Sequence, residues 1–334
     1  MRIHFLTPRH TALAEGDPGL IEEVRDRLVA RSEIEDCPSP EAADAIVLHE
    51  RYSFKEWRYI KTLLADPVVG RYPHKVYTIN LDDAASGLLR GVYASMPRKR
   101  LRAGLHRAIP YARVPNEFVL TASDEPHPPP THLATWRGNP LSNAALRQRL
   151  LSLYVNSPTI KVESTDSWLN HNVDERRHYV DLLLSAHFAL CPAGWAPATF
   201  RIYESMAIGV PPVIIADQYT PPEGPEWGRF SIQVPEKDLP RLEEILKAHV
   251  PKAAEMGREA RKAWLQYFRP DQMMQYYADA LLSCMQSRRP SDSAAQEIAR
   301  WRSWSTYWTN DWTLPQRANI KLRRHLFSRA TPTP

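Results

Sequence analysis

The stretch from Ser185 to Asp217 constrains the fold of this chain more than any other. An apolar strand ends at Cys191, and a loop carrying Pro192 and Gly194 follows. A helix then opens near Phe200 behind Thr199, a residue suited to cap it, and stops at Gly209. A second apolar strand runs from Pro212 toward Asp217. Strand, loop, helix and strand in that order form a parallel β-α-β unit, with the helix N-terminus at the carboxyl edge of the sheet. Such an N-terminus presents unpaired backbone N–H groups and a partial positive charge, which suits a phosphate.

The same alternation recurs on both sides. In the first half, strands are expected at Ile3–Thr7, Ala45–His49 and Lys75–Asn80, with helices at Leu20–Ala30 and Trp57–Leu64 between them. In the second half, strands are expected at His132–Trp136, Thr159–Glu163, His187–Cys191, Pro212–Ala216 and Phe230–Val234. Helices there fall at Asn143–Tyr154, Arg177–Ser185 and Arg201–Ile208. The proline-rich segment Ser123–Pro130 separates the halves, because successive prolines lack backbone donors and force extended geometry. At 334 residues the chain suits two domains rather than one core. The reading is therefore two doubly wound α/β domains facing across a cleft: 1–125, 126–290, and a tail 291–334 that crosses back to the first.

The three cysteines, Cys37, Cys191 and Cys284, are far apart and show no metal-ligand spacing, so they are expected to be buried free thiols. No apolar stretch is long enough for a membrane span, and the first residues lack the apolar centre of a signal peptide, so a cytoplasmic location is expected. Net charge is +5. Basic residues gather at Arg98-Lys99-Arg100 with Arg102 and Arg107, and again from Arg317 to Arg324. Either group is a solvated face or a contact for anionic lipid or phosphorylated substrate; nothing accompanies them that supports nucleic-acid binding. The tail also holds Trp301, Trp304, Trp308 and Trp312, a composition suited to surface packing or to peripheral contact at the inner membrane face.

Two residues of the central helix suggest a ligand. Arg201 lies in the first turn, where a guanidinium can pair with a diphosphate, and Glu204 lies three residues on along the same face. A carboxylate there can accept from both hydroxyls of a ribose. An ordinary surface Arg–Glu pair has the same spacing. The wider pattern goes further. Phe188, Leu190, Cys191, Pro192 and Gly194, followed by Arg201, Glu204, Gly209, Pro212, Val213, Ile214 and Asp217, resemble the exostosin-type glycosyltransferases of family 47. Tyr219, Pro221 and Pro222, then Trp227, Phe230, Ser231 and Val234, then Asp238, Leu239 and Pro240 continue in the family's register. Residues Glu223-Gly224-Pro225 depart from it, where the family has an aromatic residue.

That resemblance implies a GT-B fold and an inverting transfer from a nucleotide sugar, UDP- or GDP-linked, to a glycan or lipid-linked acceptor in surface polysaccharide synthesis. It implies no metal and no cofactor. Donor contacts fall on Arg201 and Glu204, on Gly194 and Thr199 of the loop before them, and on Arg137 at the end of the second domain's first strand. Inversion in one step also needs a general base from the other domain. The candidates, where first-domain strands end, are Asp83, then Asp82, then Glu50. Two rival readings stand beside this one. Asp44 to His49 resembles a strand of α1,3-fucosyltransferases, which use GDP-fucose, and a catalytically silent sugar- or nucleotide-binding module would also carry the donor motifs.

Overall fold

Strands such as Ala45–His49, in which four of five residues are buried, leave no polar face for water. They are stable only in a sheet covered on both sides. The computed structural model of the protein, which describes residues 1–51, 59–83, 87–111, 116–122, 128–166 and 172–306, contains two such sheets. In the first, β1 (Arg2–Leu6), β2 (Glu35–Asp36), β3 (Ala45–His49), β4 (Val76–Asn80), β5 (Arg90–Tyr93) and β6 (His106–Ala108) are ordered β2-β1-β3-β4-β5-β6. In the second, β7 (His132–Gly138), β8 (Ile160–Ser164), β9 (Ala186–Pro192), β10 (Pro212–Ile215) and β11 (Ile232–Gln233) are ordered β11-β10-β9-β7-β8. Every described pairing within the sheets is parallel.

The described architecture also has ten α-helices: α1 (Gly19–Val29), α2 (Tyr59–Ala65), α3 (Glu117–Ala122), α4 (Ala144–Tyr154), α5 (Val173–Leu184), α6 (Phe200–Ala207), α7 (Leu242–His249), α8 (Ala253–Ala263), α9 (Pro270–Gln286) and α10 (Ala294–Trp301). The arrangement is GT-B: two parallel α/β sheets, with C-terminal helices returning to the first. In the second sheet β8 lies on one side of β7 and β9 on the other, so the winding reverses between β7 and β9. Ligands of open α/β sheets bind at such a reversal, outside the carboxyl ends of the strands.

The return begins earlier than the tail boundary expected at residue 291. Helix α9 buries Tyr277, Ala278, Leu281, Leu282, Cys284 and Met285 against Ile3, Phe5, Val24 and Val92 of the first domain, while Tyr276 near its start also touches the second-domain core. Helix α10 follows. Trp301 is fully buried among Leu6, Leu48 and Leu89, and its indole N–H donates to the Leu88 carbonyl at 2.7 Å. Trp304 is 81% exposed, while Trp308, Trp312 and the block Arg317–Arg324 lie outside the described residues. Among the described residues no helix is long and apolar enough to cross a membrane.

Strands β5 and β6 were not expected. The apolar run is interrupted by Arg90 and Gly91, and both are there for packing reasons. Gly91 has φ +138°, and a Cβ on it would stand 2.1 Å from the Thr78 carbonyl oxygen of the neighbouring strand. Arg90 is buried on carboxylates of the returning tail, Asp292 at 2.8 Å and Glu297 at 3.2 Å. The three cysteines are buried free thiols.

The carboxyl ends of the two sheets meet. Ser95, just beyond β5, accepts on Oγ from the Ala198 N–H at 3.2 Å, just before α6. Arg98 donates its backbone N–H to the Gln218 carbonyl at 2.8 Å and its guanidinium to the Tyr219 carbonyl at 2.5 Å, both beyond β10. Arg107 pairs with Glu223 at 2.6 Å, and Tyr111 stacks on Phe200 with ring centroids 6.4 Å apart. The first basic block is therefore part of the seam between the domains: Arg100 is buried and Arg98 spans the seam.

Candidate active site

The winding reversal of the second sheet gathers two loops. One leaves β7 at Gly138 and enters α4 through Asn139–Asn143. The other leaves β9 at Pro192 and enters α6 through Ala193–Thr199. Asn139 and Asn143 fix the first loop by accepting from the backbone N–H groups of Leu141 and Leu146, which sets the start of α4. Thr199 occupies the N-cap position of α6 with extended backbone, but its side chain makes no capping bond. The capping role expected of it is not observed, and the residue is buried.

Arg201 extends from the first turn of α6 across the end of β7. Its Nε and Nη2 donate to the Arg137 carbonyl at 3.0 and 2.7 Å. It lies over Gly138, where a Cβ would meet Nη2 at 2.6 Å, and a larger residue at 138 would displace it. Arg137 itself departs from expectation. Its guanidinium pairs with Glu163 at 2.7 Å and with Glu175, and it has little exposure. Two carboxylates already pair with its charge, and it is its carbonyl that meets Arg201.

Glu204 lies beneath Arg201, 6% exposed, with Tyr179 Oη donating to Oε2 at 2.7 Å. Burial raises its pKa above the ordinary carboxylate value, against the opposing effects of the Tyr179 hydroxyl, the Arg201 charge and the Asn116 backbone. Tyr179 also stands under the Arg201 guanidinium, 5.8 Å from ring centroid to Cζ. The carboxylate expected to receive a ribose is thus held behind Tyr179, where it faces the Arg201 charge. Gly194 donates to the Ala196 carbonyl at 3.1 Å, and a Cβ there would reach 3.0 Å from Arg147 Nη2.

Arg147 was missed in the sequence because a helical arginine among polar neighbours suggests an exposed face. It is 4% exposed. Nε donates to the Ala193 carbonyl at 3.0 Å, Nη2 to the Pro192 carbonyl at 3.1 Å and Nη1 to the Asn139 carbonyl at 3.0 Å. Ser142 Oγ accepts a fourth bond, and the Trp136 ring lies 5.7 Å away. Burial, and then the nearby Arg201 charge, pulls its pKa down to about 9, while Asp83 from the first domain pushes it up.

The candidate bases sort accordingly. Glu50 is 3% exposed, and its oxygens accept from Tyr59, Thr78 Oγ1 at 3.2 Å and Asn80 Nδ2 at 2.9 Å. Burial raises its pKa despite those donors. A carboxylate occupied by three protein donors and shut from solvent has no face for an acceptor hydroxyl, so Glu50 braces the carboxyl ends of β3 and β4. Asp82 turns its backbone onto Asn80, with its N–H 3.0 Å from Oδ1. Asp83, next in the chain, has the carboxylate whose charge reaches across to Arg147.

Comparison with known proteins bears on the family. The family model described as the exostosin GT47 domain matches residues 44–249, more than half of the chain. A probable glucuronosyltransferase of Oryza sativa subsp. japonica is 45% identical over 75 residues, which cover 22% of this chain and 18% of that protein. A probable beta-1,4-xylosyltransferase of Arabidopsis thaliana is 39% identical over 77 residues, again 22% of this chain and 18% of the relative. The chain thus matches less than a fifth of the length of these curated relatives. Among solved structures, an alpha1,3-fucosyltransferase aligns over 88% of this chain and 91% of its own at 14% identity and a TM-score of 0.42. Anabaena HepE in complex with UDP aligns over 85% and 100% at 13% identity and a TM-score of 0.38. At those values neither bears on the donor or the acceptor.

Proposed function

Because the chain belongs to the exostosin GT47 domain family, we propose that it is an inverting glycosyltransferase of polysaccharide synthesis, moving a sugar from a UDP- or GDP-linked donor to a glycan hydroxyl. The observation that carries this reading is the gathering of Arg201, Arg147 and the α6 N-terminus at one winding reversal, within reach of the Asp83 charge from the first domain. The donor diphosphate lies against the α6 N-terminus, where backbone N–H groups and the Arg201 charge stabilise the departing phosphate. Asp83 accepts the acceptor's proton as the hydroxyl oxygen attacks the anomeric carbon. The bond from that carbon to the phosphate oxygen breaks, and its electron pair leaves with the nucleoside diphosphate. Glu204 and Tyr179 support Arg201 from below. The relatives' names point to glucuronosyl and xylosyl donors as the first to try. The match to the exostosin model favours this reading over a fucosyltransferase, and peripheral contact of the tail with a membrane remains part of the proposal.

The test is release of nucleoside diphosphate from a panel of UDP- and GDP-linked sugars in the presence of oligosaccharide acceptors. Asp83→Asn is expected to lower kcat by about 10²- to 10⁴-fold, the usual contribution of a general base, with KM for the donor unchanged within about threefold. Turnover of no donor by the wild-type chain, with nucleotide binding retained, would turn the reading toward a silent binding module. An Asp83→Asn protein as fast as wild type would remove Asp83 from the reaction.

A further inference from the structure

Arg147 is an unusual buried cation. Its described bonds go to three backbone carbonyls and one hydroxyl, none of them charged. A guanidinium usually leaves water only against a carboxylate, because uncharged partners satisfy its N–H groups without cancelling its charge. Here the second domain supplies no such partner among the charges acting on it; Arg201 opposes it, and the favourable carboxylate, Asp83, belongs to the other sheet. The three carbonyls also come from both loops of the winding reversal: Asn139 from the loop after β7, Pro192 and Ala193 from the loop after β9. One planar side chain therefore ties the two loops together. Its five N–H groups in a fixed fork make this possible, and a lysine ammonium has neither the reach nor the planarity to replace it.

Gly194 fits the same arrangement. Its missing side chain leaves the space that Arg147 Nη2 occupies, 3.0 Å from where a Cβ would stand. The loop that approaches the α6 N-terminus is shaped around this guanidinium, and Trp136 seals it from beneath.

We propose that Arg147 is a positioning residue for the donor: it locks the loops 139–142 and 192–196 in one register and brings to them a positive charge, unmatched by any carboxylate of its own domain, that a bound diphosphate neutralises. The inference rests on the donor reading above. It separates two contributions within one side chain, the tie between loops and the charge, and these respond differently to substitution. Lysine keeps the charge and loses the tie, whereas methionine loses both. Ser142→Ala removes one acceptor and leaves the charge and the helix intact.

The experiment is calorimetric titration of the full chain with UDP, GDP, uridine and guanosine at low and high salt. Wild type should bind one of the two diphosphates, with affinity falling as salt screens the charge. Arg147→Lys should weaken that diphosphate by about 10- to 100-fold, the range expected for losing charge-assisted hydrogen bonds, with the salt dependence retained. Arg147→Met should weaken it further and flatten the salt dependence. Ser142→Ala should cost only a few-fold, and the matching nucleoside should change little in any of the three. Should an Arg147 variant fail to fold, Ser142→Ala and Gly194→Ala, which presses on Nη2, still decide the matter, because both must weaken the diphosphate more than the nucleoside. Diphosphate affinity unchanged in the variants would overturn the role of Arg147 and leave the donor reading standing. Failure of wild type to bind either diphosphate would overturn the donor reading itself.

Discussion

Arg90→Met should cost the first domain a large share of its stability, through the tail that packs against it. Arg90 lies on β5 with its side chain 6% exposed, between Asp292 at 11% and Glu297 at 2%. Removing it leaves two carboxylates in a site built to hold a cation. Breaking one partner of a buried ion pair costs about 3–5 kcal/mol. The lower end applies here, since Glu297 keeps Arg300 and Asp292 keeps a long contact with Arg289 at 3.6 Å. A loss of about 3 kcal/mol lowers the Tm of a domain of this size by roughly 6–12 °C. Calorimetry on the intact chain reads the shift, and Glu297→Met together with the double variant closes a cycle whose coupling should exceed about 1 kcal/mol.

The acid limb supplies a second reading. Burial alone would raise the Asp292 pKa, but the hydrogen bond and charge of Arg90 and the Arg289 backbone hold it below its ordinary value. A depressed carboxylate stabilises the fold above its unfolded pKa of about 3.9 and loses that contribution as pH falls through the folded value. Wild type and Arg90→Met should therefore begin to draw together in stability below about pH 4 and converge only once pH has fallen through the lowered Asp292 value. A cost under about 1 kcal/mol near neutrality, or zero coupling to Glu297, would refute the claim that residues 292–301 are seated on the first sheet by this charge network.

Two further substitutions probe the fold and the site. Glu204→Gln should raise stability and weaken nucleotide binding at once: the folded protein binds a proton at Glu204 more readily than the unfolded chain does, so ionised Glu204 is a burden at pH 8 that the amide removes, and the gain should shrink as pH falls toward 4.5. Thermal melting at both pH values, with diphosphate titration, checks it; a loss of stability at pH 8 would contradict the assigned direction. Gly91→Ala sets a methyl group 2.1 Å from the Thr78 carbonyl at a φ that side chains avoid, and should cost several kcal/mol and part β5 from β4. A protein melting within about 2 °C of wild type would show that the strand relaxes freely.

The parts of this fold legible in the sequence are those where burial and residue type agree. The apolar strands β3, β4, β9 and β10 stand out because both their faces are covered, and α6 because Gly209 stops it with φ +70°. Where tertiary partners override local pattern, the sequence is silent. Arg90 disguises β5 because the carboxylates that make its burial tolerable lie about two hundred positions away. The same reason hides Arg147, whose partners are carbonyls with no sequence signature. Arg137 and Glu50 lie at strand ends, as the sequence pattern predicts. Their neighbours, Glu163 and Glu175 for one and Tyr59, Thr78 and Asn80 for the other, set their roles and could not be seen from spacing.

Amide hydrogen exchange with and without saturating nucleoside diphosphate tests the central claim most directly. Bound UDP or GDP should slow exchange at residues 138–147 and 192–204, the two loops and the helix start that Arg147 and Arg201 hold, with a smaller effect beside Asp83. Protection confined to other parts of the chain, with these segments unchanged, would contradict a donor site at the β7–β9 reversal.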